Sequence, residues 1–101
     1  MQPIVIRYNT KPEGAQPNAQ LIENVFVELD SAQPAHVRYL VLRLSDGVFI
    51  HIVAYDGEPD GLTGLPAFAK FRDEAGAFRA DEPIRCDAEI VGNYRMLAAT
   101  N

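Results

Sequence analysis

The chain has 101 residues, of which 48% are hydrophobic and 23% charged, and this is an ordinary globular composition. A length of 101 residues allows one hydrophobic core and leaves no room for a second, so we expect a single domain over residues 1–101. Fourteen acidic against nine basic residues give a net charge of -5. This charge argues against nucleic acid and anionic membranes as partners, because both require a basic surface. No apolar run approaches the roughly 18 residues of a membrane-spanning helix, and we expect a cytoplasmic protein.

The first two predicted elements are a strand over about residues 3–9 and a helix over about residues 15–31. In the strand, apolar and polar residues alternate with a period of two, which is typical of a strand with one buried face. The helix has Pro17 in its first turn, where proline is tolerated, and ends before Pro34. Its residues on one stripe at helical spacing are Asn18, Ile22, Val25, Phe26 and Leu29.

Residues 36–55 predict a β-hairpin, because two runs rich in branched and aromatic residues flank the Asp-Gly pair at 46–47. That pair favours a two-residue turn with positive φ angles. The register that follows makes Arg38 oppose Tyr55. It also places His51 on the same face of the sheet as Arg38 and Tyr55.

The second half of the chain predicts another helix and a last strand. The helix covers about residues 63–78, with Thr63 as its cap and Pro66 in its first turn. The strand covers about residues 84–97, in which apolar and polar residues alternate, and we expect Cys86 to be a small buried residue there. The predicted order of elements is therefore β-α-β-β-α-β, in the α+β class.

The hairpin also predicts a homodimer. Two helices cover only one face of a four-stranded sheet, yet both faces of this hairpin are mainly aliphatic. Leaving four or five such side chains in water would forfeit roughly 1.5 to 3 kcal/mol each. An identical copy can cover them, since a two-fold axis presents the same patch to itself. The alternative is a monomer whose apolar face is a ligand-binding surface.

The segment 65–71, Leu-Pro-Ala-Phe-Ala-Lys-Phe, resembles the start of the second helix in the antibiotic-biosynthesis-monooxygenase-like proteins, which reads Ser/Thr-Pro-His-Phe-x-x-Phe. A preceding strand that ends in Tyr55 fits the same family, and the resemblance covers nearly the whole chain. It implies a ferredoxin-like monomer with a four-stranded antiparallel sheet, a dimeric α+β barrel, and a pocket between helices and sheet in each subunit. Ala67 stands at the position of the motif histidine, so no activity is carried over with that residue.

The same resemblance implies the range of chemistry to consider. In related families the pocket holds aromatic polyketides, quinols, haem or lactones. The reactions there are cofactor-independent oxygenation, haem breakdown and isomerisation. Fold analogy alone does not establish which of these, if any, this chain performs.

His51 is the candidate catalytic residue, because it lies in the middle of an apolar strand and imidazole titrates near neutral pH. It could act as a general base toward a phenol or an enolisable carbon. The alternative is a core or interface histidine that is hydrogen-bonded to a neighbour. Arg38 could hold a carboxylate or enolate of a ligand, or instead pair with an acidic residue on the surface. Tyr55 could stack on a planar ligand, or instead lie at the strand end with its hydroxyl in solvent. The predicted ligand-binding residues are Arg38, Tyr55, Phe68 and Phe71.

Two functions remain open from the sequence. The first is a small dimeric enzyme that oxygenates or isomerises an aromatic or unsaturated small molecule. The second is a non-catalytic dimeric module that binds a small apolar ligand or supports a partner protein. The sequence contains no glycine-rich phosphate loop, nucleophile elbow or metal-ligand spacing, so we expect neither a cofactor nor a metal.

Overall fold

The computed structural model describes residues 2–96, and its helices cover one face of an antiparallel sheet. The sheet has the order β2-β3-β1-β4, which confirms the predicted four-stranded α+β fold. Within residues 2–96, no helix has both the length and the apolar character needed to cross a membrane. The elements in chain order are β1 (Ile4–Asn9), α1 (Ala15–Ala32), β2 (Val37–Arg43), β3 (Val48–Tyr55), α2 (Asp60–Thr63), α3 (Pro66–Glu74), a 3-10 turn (Ala75–Ala77) and β4 (Ile84–Asp87).

The core lies between α1, the second helical segment and the helix-facing side of the sheet. The predicted stripe of α1 is buried at Asn18, Ile22 and Val25. The short helix α2 contributes Leu62, which is fully buried, and α3 contributes Phe71. The remaining buried residues of the core are Tyr8, Leu21, Phe49, Val53 and Ala75.

Helix α1 begins and ends where the backbone makes special contacts. A Cβ atom at Gly14 would lie 2.5 Å from the carbonyl oxygen of Phe78, so only glycine allows residue 78 to pack against the start of α1. Pro17 lies in the first turn, as predicted. At the other end Gln33 takes the left-handed conformation with φ 48°, and its N–H donates to the carbonyl oxygen of Leu29.

The predicted register of the hairpin is wrong by one residue, because the turn contains three residues instead of two. The N–H of Gly47 donates to the oxygen of Leu44 at 3.1 Å, and the N–H of Leu44 donates to the oxygen of Val48 at 2.8 Å. Gly47 has φ +84°, so it follows the turn as a left-handed residue. This arrangement is a turn followed by a glycine bulge, which adds one residue to the loop.

A shift of one residue moves every side chain of β2 to the opposite face of the sheet. Tyr39 now pairs with Val53 and lies on the helix-facing side with His51 and Tyr55. Arg38 pairs with Ala54 and lies on the other face. The predicted grouping of Arg38 with His51 and Tyr55 is therefore wrong for Arg38.

The second helical segment is interrupted where the sequence predicted one helix. Thr63 ends α2 and does not cap α3; its hydroxyl donates to the carbonyl oxygen of Pro59 at 3.2 Å. Leu65 is the residue before α3 and is extended, with ψ 132°. The following Pro66 explains the break, because a residue before proline is disfavoured in the helical conformation.

The last strand is shorter than the predicted 84–97. Its ladder with β1 covers four residue pairs, and the next hydrogen bond joins the N–H of Ala88 to the oxygen of Pro3. Beyond that point β1 offers no further residues for pairing. Residues 88–96 therefore continue without strand structure, and Leu97 lies outside the described residues.

The face of the sheet away from the helices carries exposed apolar side chains. Leu40 and Leu42 on β2 are 40% and 43% exposed, and Ile84 on β4 is 58% exposed. Cys86 lies on the same edge strand and is exposed, so the prediction of a buried thiol is wrong. An edge strand with no helix over it has nothing in the described part of the chain to bury that side chain.

Glu28 of α1 caps the N-terminus of α3. Its carboxylate oxygen accepts a hydrogen bond from the backbone N–H of Ala67 at 3.0 Å. Leu65 has no side-chain oxygen to cap this helix, so Glu28 satisfies one of the amides that a helix start leaves unpaired. A carboxylate also suits the positive end of the helix dipole.

We expect Glu28→Ala to lower the free energy of unfolding by about 1 kcal/mol, because the Ala67 amide loses its acceptor. Glu28→Gln keeps an oxygen acceptor without the charge and should lose less. Glu23→Ala, at an exposed position of the same helix, is the matched control and should change stability by less than about 0.5 kcal/mol. Urea unfolding measures all three; equal losses in Glu28→Ala and Glu23→Ala would contradict the capping role.

Candidate functional site

His51 lies at the centre of a buried chain of hydrogen bonds. It occupies the middle of β3 and is 3% exposed. Its Nε2 is 2.8 Å from the hydroxyl oxygen of Tyr8, and its Nδ1 is 2.6 Å from the hydroxyl oxygen of Tyr39. Tyr8 is on β1 and Tyr39 on β2, so the two strands that flank β3 each bring one tyrosine to the imidazole.

Asn18 extends this chain into helix α1. Its side-chain Nδ2 donates to the Tyr8 hydroxyl oxygen at 2.9 Å. Asn18 is 0% exposed, and its Oδ1 has no hydrogen-bond partner among the described residues. We call Asn18, Tyr8, His51 and Tyr39 the polar chain.

Aromatic rings surround the polar chain. The ring of Phe71 lies 5.6 Å from that of His51, and Phe68 lies 6.2 Å from Phe71. Phe49 stacks on Tyr8 at 5.8 Å, and Phe26 stacks on Tyr39 at 5.1 Å. The polar chain is therefore enclosed by apolar surface on both sides.

Burial shifts the pKa values of the three titratable members of the polar chain further toward their neutral forms. Desolvation lowers the pKa of His51 from 6.5 to about 4. It raises the pKa of Tyr8 to about 12, although the hydrogen bond from Asn18 and the charge of Arg79 oppose this shift. The pKa of Tyr39 is also raised, mainly by burial. His51 is therefore a weak base in this environment, and the tyrosines are neutral hydrogen-bonding groups.

Tyr39 connects the polar chain to the surface. Tyr39 is one of the residues that line a cleft of about 230 Å³ between the end of α1 and the start of β2. A larger groove of about 510 Å³ continues along α1 and β2, and both share Phe26 and Asp30 in their walls. Leu29, Gln33, Pro34 and Val37 complete the smaller cleft.

The structure brings together only part of the predicted site. His51 and Phe71 are in contact, and Phe68 is the next ring outward. Tyr55 is half-buried on the helix-facing side, at the end of β3. Arg38 is on the opposite face. Phe68 and Phe71 line neither of the clefts along α1 and β2.

Sequence reasoning missed three members of the polar chain. Tyr39 was assigned to the wrong face by the register error. Tyr8 is one of several aromatic residues in the sequence that could belong to a core or a pocket, and nothing in the sequence pairs it with His51. Asn18 gave the clearest signal, since it is an amide on the apolar stripe of a helix, and such a residue needs buried partners. In the described part of the chain, no three His, Cys, Asp or Glu side chains form a group that could hold a metal ion.

The burial of His51 predicts a loss of stability in mild acid. The unfolded chain takes up the His51 proton near pH 6.5 and the folded chain only near pH 4. The free energy of unfolding should therefore fall as the pH decreases between these values, by on the order of 3 kcal/mol, with no further contribution from His51 below.

Urea unfolding of the wild type and of His51→Gln over this pH range measures the effect, and the variant should show the shallower dependence. Parallel curves for the wild type and His51→Gln would show that the His51 pKa is not lowered.

Comparison with known proteins gives similarity in fold but little in sequence. No family model matches the chain, and no curated protein matches it. Among solved structures, a protein from Bacteroides thetaiotaomicron, provisionally named an antibiotic biosynthesis monooxygenase, is similar with a TM-score of 0.76 and 12% identity over 95% of both chains. A provisionally named homologue of that type from Nitrosomonas europaea has a TM-score of 0.74 and 13% identity, covering 91% of this chain and 100% of its own.

A third structure, of an antibiotic biosynthesis monooxygenase, has a TM-score of 0.70 and 14% identity, again covering 91% of this chain and 100% of its own. Identities this low support a shared fold and leave activity open. The chain therefore shares the ferredoxin-like α+β fold of these solved structures, and the predicted fold is confirmed.

Proposed function

We propose that the protein binds a planar, largely apolar small molecule that carries at least one oxygen atom, and without a cofactor either oxygenates it with dioxygen as the oxidant or isomerises it. The observation that supports this most is the polar chain itself. Its two tyrosines and its histidine are titratable groups joined by short hydrogen bonds within an aromatic cluster, and Tyr39 belongs to the wall of a cleft. Clustered titratable groups with shifted pKa values are typical of functional sites.

The chemistry assigned to His51 follows from its neutrality. A histidine with a pKa of about 4 takes a proton poorly from a substrate on its own. In contact with two tyrosines, it can instead relay a proton: as Tyr39 gives its hydroxyl proton to a substrate oxygen, His51 gives one ring proton to Tyr39 and takes one from Tyr8, and the steps reverse when the substrate oxygen returns the proton. We propose that Tyr39 contacts the substrate oxygen and that His51 supports Tyr39 from behind.

An aromatic pair in the cleft and the apolar walls of the adjoining groove favour a planar, largely apolar substrate. Phe26 stacks on Tyr39, so a planar ligand in the cleft would meet aromatic surface beside the hydroxyl-bearing ring. The groove that continues along α1 is lined mainly by apolar residues with Glu23, Asp30 and Arg43 among them. A few polar groups in a mostly apolar groove are the usual composition of a small-molecule site, and this groove adjoins the cleft that Tyr39 lines.

We expect Tyr39→Phe to lower kcat at least tenfold on any quinol or phenol that the wild type turns over, because the hydroxyl that meets the substrate oxygen is lost. Oxygen consumption and product absorbance measured over a panel of quinols and phenols give the rates. Tyr94→Phe, which changes an exposed tyrosine far along the chain, is the control and should keep the wild-type rate. Unchanged turnover in Tyr39→Phe would refute the assigned role.

A second candidate function is binding without turnover, and the low pKa of His51 favours it. In that case the polar chain holds and orients a ligand, and no bond changes. Calorimetric binding of panel compounds with no oxygen consumption and no isomerised product would support this function over the enzyme.

We also propose that the protein is a homodimer in which the sheet faces away from the helices pair. Leu40, Leu42 and Ile84 are exposed on this face, and Ile50 and Ile52 lie beside them half-buried. Burying each such side chain contributes on the order of 1.5 to 3 kcal/mol. A two-fold axis would bring identical apolar patches together.

We expect the wild type to have a mass of about 22 kDa in solution, twice the 11.2 kDa of the chain, when light scattering is measured after gel filtration. Leu42→Glu should shift the protein toward 11.2 kDa, because the interface would bury an unpaired charge. Val27→Glu places the same charge at an exposed apolar position on α1 and should leave the dimer intact. A monomeric wild type would contradict the proposed assembly.

A further inference from the structure

We infer that Asn18 is a positioning residue that sets the direction of the hydrogen bonds along the polar chain, so that Tyr39 keeps its own O–H free for a ligand atom. The ligand part of this inference rests on the proposed function. The direction of the hydrogen bonds does not rest on the proposed function, because it follows from the contacts of the four residues of the polar chain. The inference also narrows the ligand to one that offers a hydrogen-bond acceptor to Tyr39.

The first step concerns the imidazole. A neutral imidazole has one N–H and one nitrogen that accepts. Both nitrogens of His51 lie within hydrogen-bond distance of a tyrosine hydroxyl, so one tyrosine must donate to the ring and the other must accept from it. Two directions along the chain satisfy this requirement, and they differ in which nitrogen carries the proton.

The second step is the contact from Asn18. Its Nδ2 can only donate, so the Tyr8 hydroxyl oxygen accepts there. Tyr8 then uses its own hydrogen toward Nε2 of His51, which places the imidazole proton on Nδ1, facing Tyr39. The opposite direction would make Tyr8 accept twice and leave its buried hydrogen without an acceptor, which is unfavourable.

The third step considers rotation of the Asn18 amide. Exchange of its oxygen and nitrogen would reverse the whole chain, because Tyr8 would then donate to Oδ1. It would also leave a buried NH₂ group without an acceptor, whereas in the structure the unpaired atom is the oxygen. Buried carbonyl oxygens without partners are less unfavourable than buried N–H groups without partners. The orientation with Nδ2 on Tyr8 is therefore the favoured one.

This direction determines the role of Tyr39. Its hydroxyl oxygen accepts a hydrogen bond from His51, and its own O–H hydrogen does not donate to any member of the polar chain. Tyr39 lines the cleft, so the proposed role requires that its O–H donate to a ligand bound there. The matching ligand atom is an oxygen that accepts a hydrogen bond, which a hydroxyl, carbonyl or deprotonated oxygen can do. A donating Tyr39 would stabilise negative charge that develops on that oxygen, as expected for an enolisable ketone, an enone or a quinone-like compound.

The direction of the hydrogen bonds along the polar chain can be tested by NMR without any ligand. The chain has two histidines, so His36→Gln leaves His51 as the only imidazole. Long-range ¹H–¹⁵N spectra of that protein should show the proton of His51 on Nδ1. Adding Asn18→Leu removes the donor and should move a measurable fraction of the proton to Nε2. A proton on Nε2 in the single variant, or an unchanged tautomer after Asn18→Leu, would overturn the role of Asn18.

The ligand class is tested separately with 1-tetralone, a ketone that only accepts, and with tetralin, its hydrocarbon counterpart. Tyr39→Phe should weaken binding of 1-tetralone about tenfold and leave tetralin binding unchanged, because one hydrogen bond is lost. Equal effects on both compounds would overturn the acceptor requirement. If neither compound binds the wild type while the proton is on Nδ1, the proposed ligand site fails and the role of Asn18 stands.

Discussion

A neutral imidazole in the middle of a sheet imposes the main constraint on this structure. His51 is too buried to be charged at pH 7, so both of its nitrogens require uncharged partners inside the protein. Tyr8 and Tyr39 supply them from the two neighbouring strands, and Asn18 supplies a further donor from α1. One chain of hydrogen bonds therefore links three strands and a helix, and the order of the sheet around β3 makes that link possible.

Much of the fold could be predicted from periodicity. The alternation in β1 and the stripe of α1 give these elements within a residue or two, and the pair at 46–47 locates the hairpin turn. The register could not be predicted, because Gly47 with a positive φ serves a two-residue turn and a three-residue turn with a bulge equally well. The length of the last strand could not be predicted from its own alternation either, because it depends on how far its partner β1 extends.

The candidate site was predictable only in part, for a related reason. His51 and Phe71 were identified from their residue type and spacing, and they are in contact. The predicted register puts Tyr39 and His51 on opposite faces of the sheet. Their hydrogen bond could therefore not be predicted without the correct register. Structural relatives with 12% to 14% identity establish the fold without assigning residues, and Ala67 differs from the histidine of the resembling motif. The chemistry of the site therefore has to be derived from the contacts themselves.

The bulge at Gly47 has a consequence for how this chain is compared with others. In a protein of the same fold that lacks this one loop residue, numbering carried back from the third strand without a gap would give even numbers to the helix-facing positions of the second strand. An alignment made from sequence alone, with a gap misplaced by one position there, would match Tyr39 with a residue that points to the opposite side of the sheet. Counterparts of Tyr39 in other proteins are therefore identified by measuring distance to the imidazole, and not by counting along the chain.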